Sequence, residues 1–498
     1  MNPLLIAPVI LPAMLAPLIV LALRGSLPQQ RAVSMLGTLA LWLIAVRLVL
    51  AADLGGVEVY LLGNWPAPFG IVLVLDRLSA LMLLVTATLA LLTGLYAIAS
   101  GWDARGRHFH ALFQFQLMGL NGAFLTGDVF NLFVFFEVLL IASYGLMVHS
   151  GGAPRLRAGV QYMVINLVGS TLFLFALGTL YAVTGTLNMA DLAERVSVMP
   201  AGDVALLRVG AVLLLAVFAI KAALVPLHFW LPGTYAHAPA PVAALFAVMT
   251  KVGAYAILRI FTLIFSPDAA ASAGIGGWVL PAALLTLGLG TAASLGATTL
   301  PRLAAFATVG SMGTLLIAIG QFTPQTTAAG LYYLVHSTFA AASLFLIADL
   351  IAARRGSLAL VPGPAIASQG VIGTLFAVAA IGISGMPPLA GFVGKLLILD
   401  ASRGAALVWL IWAVVLVTSL LSVLAFARAG SVLFWDTSAP AADQTAYPGL
   451  PIPIAAAPLA LMLLLSVLAA PAMHYMERTA ADLHAPAAYI DAVLGPVR

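Results

Sequence analysis

The chain alternates between long apolar stretches and short polar connections. An apolar stretch of about 20 residues is long enough to cross the hydrocarbon core of a bilayer as a helix. Within lipid a backbone must satisfy its own hydrogen bonds, so only helices or closed barrels span the membrane, and the short alternating segments of a barrel are absent from this sequence. The pattern therefore predicts an all-α polytopic membrane protein.

We predict about fourteen transmembrane helices, numbered here as spans in chain order. Three longer connections cover 52–77, 185–206 and 430–452, and a tail follows residue 476. The first span lacks the basic start and cleavage site of a signal peptide, so we expect it to stay as a helix. The expected bounds are 3–23, 32–51, 78–99, 109–126, 128–148, 158–184, 207–230, 239–264, 276–296, 302–320, 328–351, 370–399, 405–429 and 453–475.

Composition supports lipid as the solvent and excludes several kinds of chemistry. Hydrophobic residues make up 63% of the chain and charged residues 8%, against roughly 25% charged residues in a soluble protein. The absence of cysteine excludes disulfides and iron–sulfur ligation, so electron transfer would need a partner. No Walker motif or long basic run occurs, which argues against ATP-driven transport and nucleic-acid binding. We predict no cofactor.

Arginines mark alternate connections and so indicate an orientation. Cytoplasmic loops are enriched in positive charge, so the arginine-bearing set is expected to face the cytoplasm. That set carries Arg24, Arg31, Arg105, Arg107, Arg155, Arg157, Arg302, Arg354, Arg355 and Arg428. The intervening connections carry Asp53, Glu58, Asp191, Glu194, Asp203, Asp268 and Asp400.

Prolines interrupt the seventh and twelfth spans. Pro226 follows Lys221, and Pro387 and Pro388 precede Lys395. Proline removes an intrahelical hydrogen bond, so both spans should be broken helices. The two breaks lie five spans apart, and corresponding broken helices in inverted positions are typical of transporters built from inverted repeats.

This layout predicts four regions. Residues 1–100 would hold helices 1–3, and 431–498 would hold helix 14 and the tail. Between them, 101–265 would form a first inverted repeat of helices 4–8, and 266–430 a second repeat of helices 9–13.

Ionisable residues inside predicted spans are the main functional candidates. The chain has only three lysines, Lys221, Lys251 and Lys395, and all three fall in apolar stretches. Glu137 lies mid-span in "NLFVFFEVLLIASYG", and His336 lies within the eleventh span. A charge at mid-bilayer costs roughly 3 kcal/mol on insertion scales, so such residues usually serve a function. The structural alternative is a packed or snorkelling side chain, and snorkelling works near helix ends.

These residue types suit a proton pathway. Buried lysines and glutamates titrate closer to neutral pH than in water, and histidine does so without help. A nearby glutamate favours a charged lysine, so moving or neutralising that glutamate would let the lysine release its proton. His228 and His237 flank the break after the seventh span and are candidates for a cytoplasmic entrance, although loop histidines are common. Pro226, Pro387 and Pro388 are candidate gating positions at the two breaks.

No metal site is predicted. The histidines show no ligand spacing, and no acidic cluster provides the several oxygens that a hard cation requires. We therefore do not expect this chain alone to bind sodium.

Three segments carry a resemblance to a known family. They read "FLTGDVFNLFVFFEVLLIASYGLMVH", "AIKAALVPLHFWLPGTYAHAPAPVAALFAVMTKVGAYAILRI" and "GISGMPPLAGFVGKLLIL". The chain resembles the antiporter-like subunits of respiratory complex I and of Mrp-type multisubunit sodium/proton antiporters. Within that family the sequence around Glu137 is most similar to the D-type subunits of Mrp systems, and Lys395 differs from the glutamate of one complex I subunit.

The resemblance implies a site, partners and a location. It implies that Glu137, Lys221, Lys251, His336 and Lys395 form the proton path, and that the fold has fourteen helices with inverted repeats. The chain would pass protons inwards in exchange for Na⁺ or K⁺, as a multi-pass subunit in the bacterial inner membrane. Its partners would be other hydrophobic subunits, including a larger homologous A-type subunit.

Three alternatives stay open. The chain could be a proton-pumping subunit of a redox complex, namely an NADH–quinone oxidoreductase or a membrane-bound hydrogenase, whose partners would carry flavin or iron–sulfur clusters. A solute transporter working alone would need a polar, substrate-shaped site at mid-membrane. A structural scaffold would tolerate loss of the buried charges.

Overall fold

The computed structural model describes residues 2–495, apart from 201, 203, 267–273, 275, 367 and 440–450. Short strand pairs and single helical turns join the helices of an otherwise helical bundle. The helices are α1 (Ala7–Leu21), α2 (Leu27–Gly55), α3 (Arg77–Ala99), α4 (Phe109–Leu125), α5 (Val129–Met147), α6 (Ala153–Thr184), α7 (Met189–Ser197), α8 (Ala205–Lys221), α9 (Trp230–His237), α10 (Ala240–Leu263), α11 (Gly276–Leu295), α12 (Leu300–Ile319), α13 (Pro324–Arg355), α14 (Gln369–Ser384), α15 (Ala390–Ala401), α16 (Val408–Gly430), α17 (Ile452–Val467), α18 (Ala469–His484) and α19 (Ala487–Leu494). The strands are β1 (Glu58–Leu61), β2 (Val72–Leu75), β3 (Gly363–Pro364) and β4 (Thr437–Ala439).

The helices confirm a multi-pass membrane protein. Within the described ranges, nine helices are long and apolar enough to cross a membrane, and the bent pair α17–α18 makes a tenth candidate. Two shorter apolar helices, α1 and α14, fall in the first and twelfth predicted spans. The count of fourteen spans stays a prediction.

Both proline-marked spans are broken. Helix α8 ends at Lys221, and α9 begins at Trp230 after a break that contains Pro226. Helix α14 ends at Ser384, and α15 begins at Ala390 after a break that contains Pro387 and Pro388. These breaks fall where the missing amide of proline interrupts the helical hydrogen bonds.

The last span and the tail differ from the prediction. The predicted span 453–475 is not one continuous helix but α17 followed by α18, with an angle of 82° between their axes. Residues beyond 476, expected to be a tail, continue α18 and form α19. The polar second half of α18 lies at the end of the bundle, where Arg478 pairs with Asp53 at 2.9 Å.

One end of the bundle gathers the arginine-bearing connections, and we call it the arginine face. Arg31 pairs with Asp103 at 2.6 Å, and His110 approaches the same carboxylate at 3.1 Å. Burial alone would raise the pKa of Asp103, but the hydrogen bonds from His110 and Arg31 outweigh it and hold that pKa below its usual value. Trp102, in the connection between α3 and α4, donates to Asp349 near the end of α13 at 3.0 Å.

The other end, the opposite face, carries the β1–β2 hairpin and a second ionic cluster. Strands β1 and β2 are antiparallel, with Glu58 opposite Leu75. Arg259 makes a two-point pair with Asp76, at 2.6 and 2.8 Å. Arg77 joins Asp53 at 3.2 Å. Asp203 and Asp268, assigned to this side from the sequence, lie outside the described residues.

Helix α10 forms the centre of the bundle. Every residue from Pro241 to Leu263 is buried, and its neighbours include α3, α8, α12 and α13. A helix that is apolar on all sides belongs inside the protein rather than against lipid. Any charge on α10 is therefore surrounded by protein.

Candidate functional site

Glu137 sits in the middle of α5. The side chain of Asp128 caps the start of that helix by accepting from Asn131 N at 2.8 Å. Glu137 is half-buried, and its Oε1 accepts a hydrogen bond from Ser170 Oγ of α6. The carboxylate thus has a neutral hydroxyl donor from the neighbouring helix.

Lys221 is the last residue of α8, not a mid-helix residue as the sequence suggested. The helix stops there because the following residues lead into the break at Pro226. The carbonyl end of a helix favours a positive charge, which helps to hold a lysine at this depth. Lys221 is 7% exposed, and its Nζ donates to Asn166 Oδ1 at 2.9 Å.

Helix α6 links Glu137 to Lys221 indirectly. Within the described ranges, no ion pair joins the two side chains directly. Asn166 and Ser170 lie four residues apart, and such residues share one helix face. Glu137 still lies within electrostatic range of the ammonium group. Each of the two charged groups is therefore hydrogen-bonded to a neutral side chain of α6 rather than to the other charged group.

Two hydrogen bonds and one close contact between helices fix the break after Lys221. Trp230 Nε1 donates to Ile220 O at 2.9 Å, and Val225 N donates to Thr286 Oγ1 at 2.9 Å. Gly253 of α10 packs directly against it, since a Cβ there would lie 2.5 Å from Ala222 N. The close approach brings the end of α8 against the buried helix that carries Lys251.

Lys251 is fully enclosed. Its exposed fraction is 0%, and its Nζ lies 3.4 Å from Met312 Sδ of α12. A thioether is a weak acceptor. The ammonium group thus has a poor hydrogen-bond partner inside a closely packed protein environment.

His336 and Lys395 lie in the second half of the bundle. His336 is 1% exposed, and its Nδ1 has no hydrogen-bond partner in the described residues. Lys395 of α15 is 8% exposed and donates to Ser384 O at 2.9 Å and to Ser419 Oγ at 2.8 Å. His336 lies within electrostatic range of both Lys251 and Lys395. The positive charge of either lysine therefore acts on this imidazole.

The candidate entrance histidines and the candidate gating prolines lie in different environments. His237 ends α9 at the arginine face and lines a cavity there. His228 lies in the break after α8, half-buried, with its Nδ1 unpartnered in the described residues. Pro226, Pro387 and Pro388 lie in the breaks but are exposed on the outside of this chain.

Several polar residues of the site were missed from the sequence. Asn166, Ser170, Ser384 and Ser419 all contact the candidate charged residues within otherwise apolar helices. A polar pair four residues apart in "VINLVGST" was the available signal for the first two. In the described part of the chain, no group of three or more histidine, aspartate or glutamate residues could hold a metal ion.

Comparison with known proteins identifies one matching family and two similar antiporter subunits. Residues 126–422 match the family described as NADH:quinone oxidoreductase/Mrp antiporter, transmembrane. The chain is 38% identical to a probable K⁺/H⁺ antiporter protein of Rhizobium meliloti, a D-type subunit, covering 100% of this chain and 98% of that protein. It is also 38% identical to the D-type subunit of the Na⁺/H⁺ antiporter of Bacillus subtilis, covering 99% and 100%.

Two solved structures share the fold. A chain of the Mrp complex from Dietzia is 29% identical with a TM-score of 0.88, covering 99% of this chain and 100% of that one. A chain of respiratory complex I from Thermus thermophilus is 26% identical with a TM-score of 0.81, covering 99% and 100%.

Proposed function

The chain belongs to the NADH:quinone oxidoreductase/Mrp antiporter family, and we propose that it conducts protons as one subunit of a Na⁺/H⁺ or K⁺/H⁺ antiporter. Its partners would be the other hydrophobic subunits of a hetero-oligomer in a bacterial inner membrane, including a larger homologous subunit. The names of the two D-type relatives support this proposal.

One observation carries the proposal: the buried lysines all have neutral partners. Lys221 donates to an amide oxygen, Lys251 to a thioether, and Lys395 to a carbonyl and a hydroxyl oxygen. A lysine in an ion pair is locked in its charged form, whereas neutral acceptors leave it free to release a proton when its surroundings change. Burying an ammonium group without an ion-pair partner is costly in a membrane, and this cost fits a transport role.

The order of the residues suggests how a proton could move. Protonation or displacement of Glu137 would remove the negative charge that favours the ammonium of Lys221. Lys221 could then pass its proton towards Lys251 on the adjacent α10. His336 interacts electrostatically with both Lys251 and Lys395, so it would bridge the two halves. Water entering at the helix breaks would connect groups too far apart to touch.

The direction of the broken helices supports an inverted-repeat design. Helix α8 enters its break from the opposite face, whereas α14 enters its break from the arginine face. Under this proposal 101–265 and 266–430 are the two repeats, and each carries one broken helix beside a lysine.

A measurement of cation/proton exchange in membrane vesicles tests the proposal. The assembled complex is expressed in cells lacking native antiporters, and Na⁺ or K⁺ is added to acidified inverted vesicles while the pH gradient is recorded. We expect Glu137→Ala and Lys221→Ala to lower the exchange rate at least about tenfold. Leu167→Ala, at a position 63% exposed on α6, is the matched control and should exchange normally. Normal exchange in both charge variants would disprove the relay.

A second candidate is a proton-pumping subunit of a redox complex. The shared fold with the complex I chain favours it. Mass spectrometry of the complex purified in mild detergent separates the two. Small hydrophobic subunits with a second antiporter-like chain support the antiporter, whereas flavin or iron–sulfur subunits support the redox complex.

A further inference from the structure

A cavity opens on the arginine face between α6, α9, α10 and α13. Its volume is about 450 Å³. The polar groups lining it belong to Trp102, Arg155, His237 and Asp349, and the aromatic rings of Tyr235 and Phe345 line it as well. A cavity of this volume that opens to the solvent has room for several water molecules beside its polar groups.

Asp349 is the only carboxylate that lines this cavity among the described residues. Its Oδ2 accepts from Tyr96 Oη at 2.9 Å and from Trp102 Nε1 at 3.0 Å, and its Oδ1 lies 3.0 Å from the same indole nitrogen. Both donors are neutral. The carboxylate is therefore fixed in place without being tied to a positive partner.

Three buried aspartates of the described chain are held by arginines instead. Asp76 pairs with Arg259, Asp103 with Arg31, and Asp191 with Arg195. Protonating any of these would break an ion pair, which is costly in a buried setting. Protonating Asp349 breaks none, so this carboxylate can gain and lose a proton at a small structural cost.

The cavity points towards the buried lysines. Ala243 of α10 lies in its wall, eight residues before Lys251. At 1.5 Å per residue this separation corresponds to about 12 Å along the helix axis. This stretch is packed with protein, and the hydroxyl groups of Tyr235, which lines the cavity, and of Thr250, which contacts Tyr235, lie along it, so water would have to enter between them during transport.

The charges around Asp349 disfavour a metal cation. The Arg105 guanidinium lies 4.0 Å from the centre of the Trp102 ring, and that of Arg155 lies 5.5 Å from it. These positive groups repel Na⁺ or K⁺, whereas a proton can bind covalently to the carboxylate. The charged or titratable groups that face Asp349 from its surroundings are Tyr96, Arg105, Arg155, His237 and Arg354.

We propose that Asp349, held by Trp102 and Tyr96, exchanges protons between the water of the arginine-face cavity and the route to Lys251. The proposal rests on the proposed function. In each cycle the carboxylate oxygen binds one proton from the route and releases it to water, or the reverse, with no other bond changed. With inward proton flow, Asp349 is the group that releases protons to the cytoplasm.

Asp349→Asn in the assembled complex tests this proposal in inverted vesicles, whose outer solution bathes the arginine face. We expect the exchange rate to fall about tenfold with normal amounts of complex, because an amide cannot carry the proton. Asp349→Glu should restore most of the rate. Wild-type exchange by Asp349→Asn at every external pH would overturn the proposal.

Trp102→Phe tests the role of Asp349 through the pH dependence of exchange, which would not change if Asp349 were only structural. It keeps the aromatic ring beside Arg105 but removes one donor to the carboxylate, which favours the protonated form. The external pH below which exchange declines should therefore move upwards. An unchanged pH profile would contradict the proposal, including in the case where Asp349→Asn fails to assemble.

The variants also distinguish a failure of the role of Asp349 from a failure of the proposed function. Loss of exchange in Lys221→Ala together with wild-type exchange in Asp349→Asn would reject only the role of Asp349. Normal exchange in Lys221→Ala and Glu137→Ala would reject the proposed function itself.

Discussion

The ammonium group of Lys221 donates its hydrogen bond to Asn166 across 2.9 Å, although Glu137 is its electrostatic counterpart. Ser170, one turn further along α6, donates to Glu137 instead. Helix α6 therefore sets the separation between the two charges, and a small movement of α6 relative to α5 or α8 would change their interaction. This arrangement makes Asn166 as informative a target as the charged residues.

We expect Asn166→Leu to impair exchange. It keeps the side-chain size but removes the acceptor of Lys221, and a hydrogen bond to a charged group contributes about 1.5–3 kcal/mol. The exchange rate should fall by about tenfold to a hundredfold, measured as the Na⁺- or K⁺-induced pH change in inverted vesicles. Leu167→Ala, the next residue on the exposed side of α6, serves as control. Equal rates in the two variants would show that Asn166 does not support Lys221.

We expect Lys251→Met to abolish exchange without lowering the stability of the complex. Methionine has a similar shape and removes a buried charge that costs roughly 3 kcal/mol in a membrane. The melting temperature of the purified complex should stay equal or rise, while exchange is lost. A clear fall in melting temperature would instead indicate that Lys251 is a structural residue.

Asp128→Asn should stabilise the protein at neutral and higher pH. Burial raises the pKa of Asp128 from 3.8 to about 6, against the backbone donors Asn131 and Phe130. The protonated acid therefore stabilises the fold below the unfolded pKa, and this contribution is lost as the pH rises through about 6. Asparagine keeps the helix cap and does not titrate.

The gain from Asp128→Asn should reach at most about 3 kcal/mol above neutral pH, since one pKa unit is about 1.36 kcal/mol. It should vanish in acid, below the pKa of the unfolded chain. Thermal unfolding of the complex at acid and alkaline pH measures the difference. A gain of the same size at both pH values would show that titration of Asp128 is not its cause.

Gly253→Ala should disrupt the contact between α10 and the break after α8. The added Cβ would lie 2.5 Å from Ala222 N, a backbone atom that cannot move away alone. We expect a reduced yield of folded complex by size-exclusion chromatography. Gly178→Ala on α6, where a Cβ would meet nothing within 4 Å, is the control. A normal yield for Gly253→Ala would show that the helices can separate without loss of the fold.

The opposite-face helices show a limit of sequence patterns. The apolar run at 453–475 predicted one span, yet the chain turns by 82° between α17 and α18. Arg478 and Asp482 pair with Asp53 and Arg77, which belong to distant parts of the sequence. Mean hydropathy is averaged over neighbouring residues in the sequence. It therefore cannot identify ion-pair partners that lie far apart in the chain and meet only in the folded protein.

The sequence by itself determined the helical membrane architecture, the two helix breaks and the burial of the three lysines. Each of these follows from a local property: apolar length, a missing proline amide, or a charge in an apolar stretch. Only the tertiary structure decided what surrounds those charges. The placement of Asn166 beside Lys221 and of Trp102 beside Asp349 joins residues 55 and 247 positions apart, because helix packing, not chain order, sets which side chains meet.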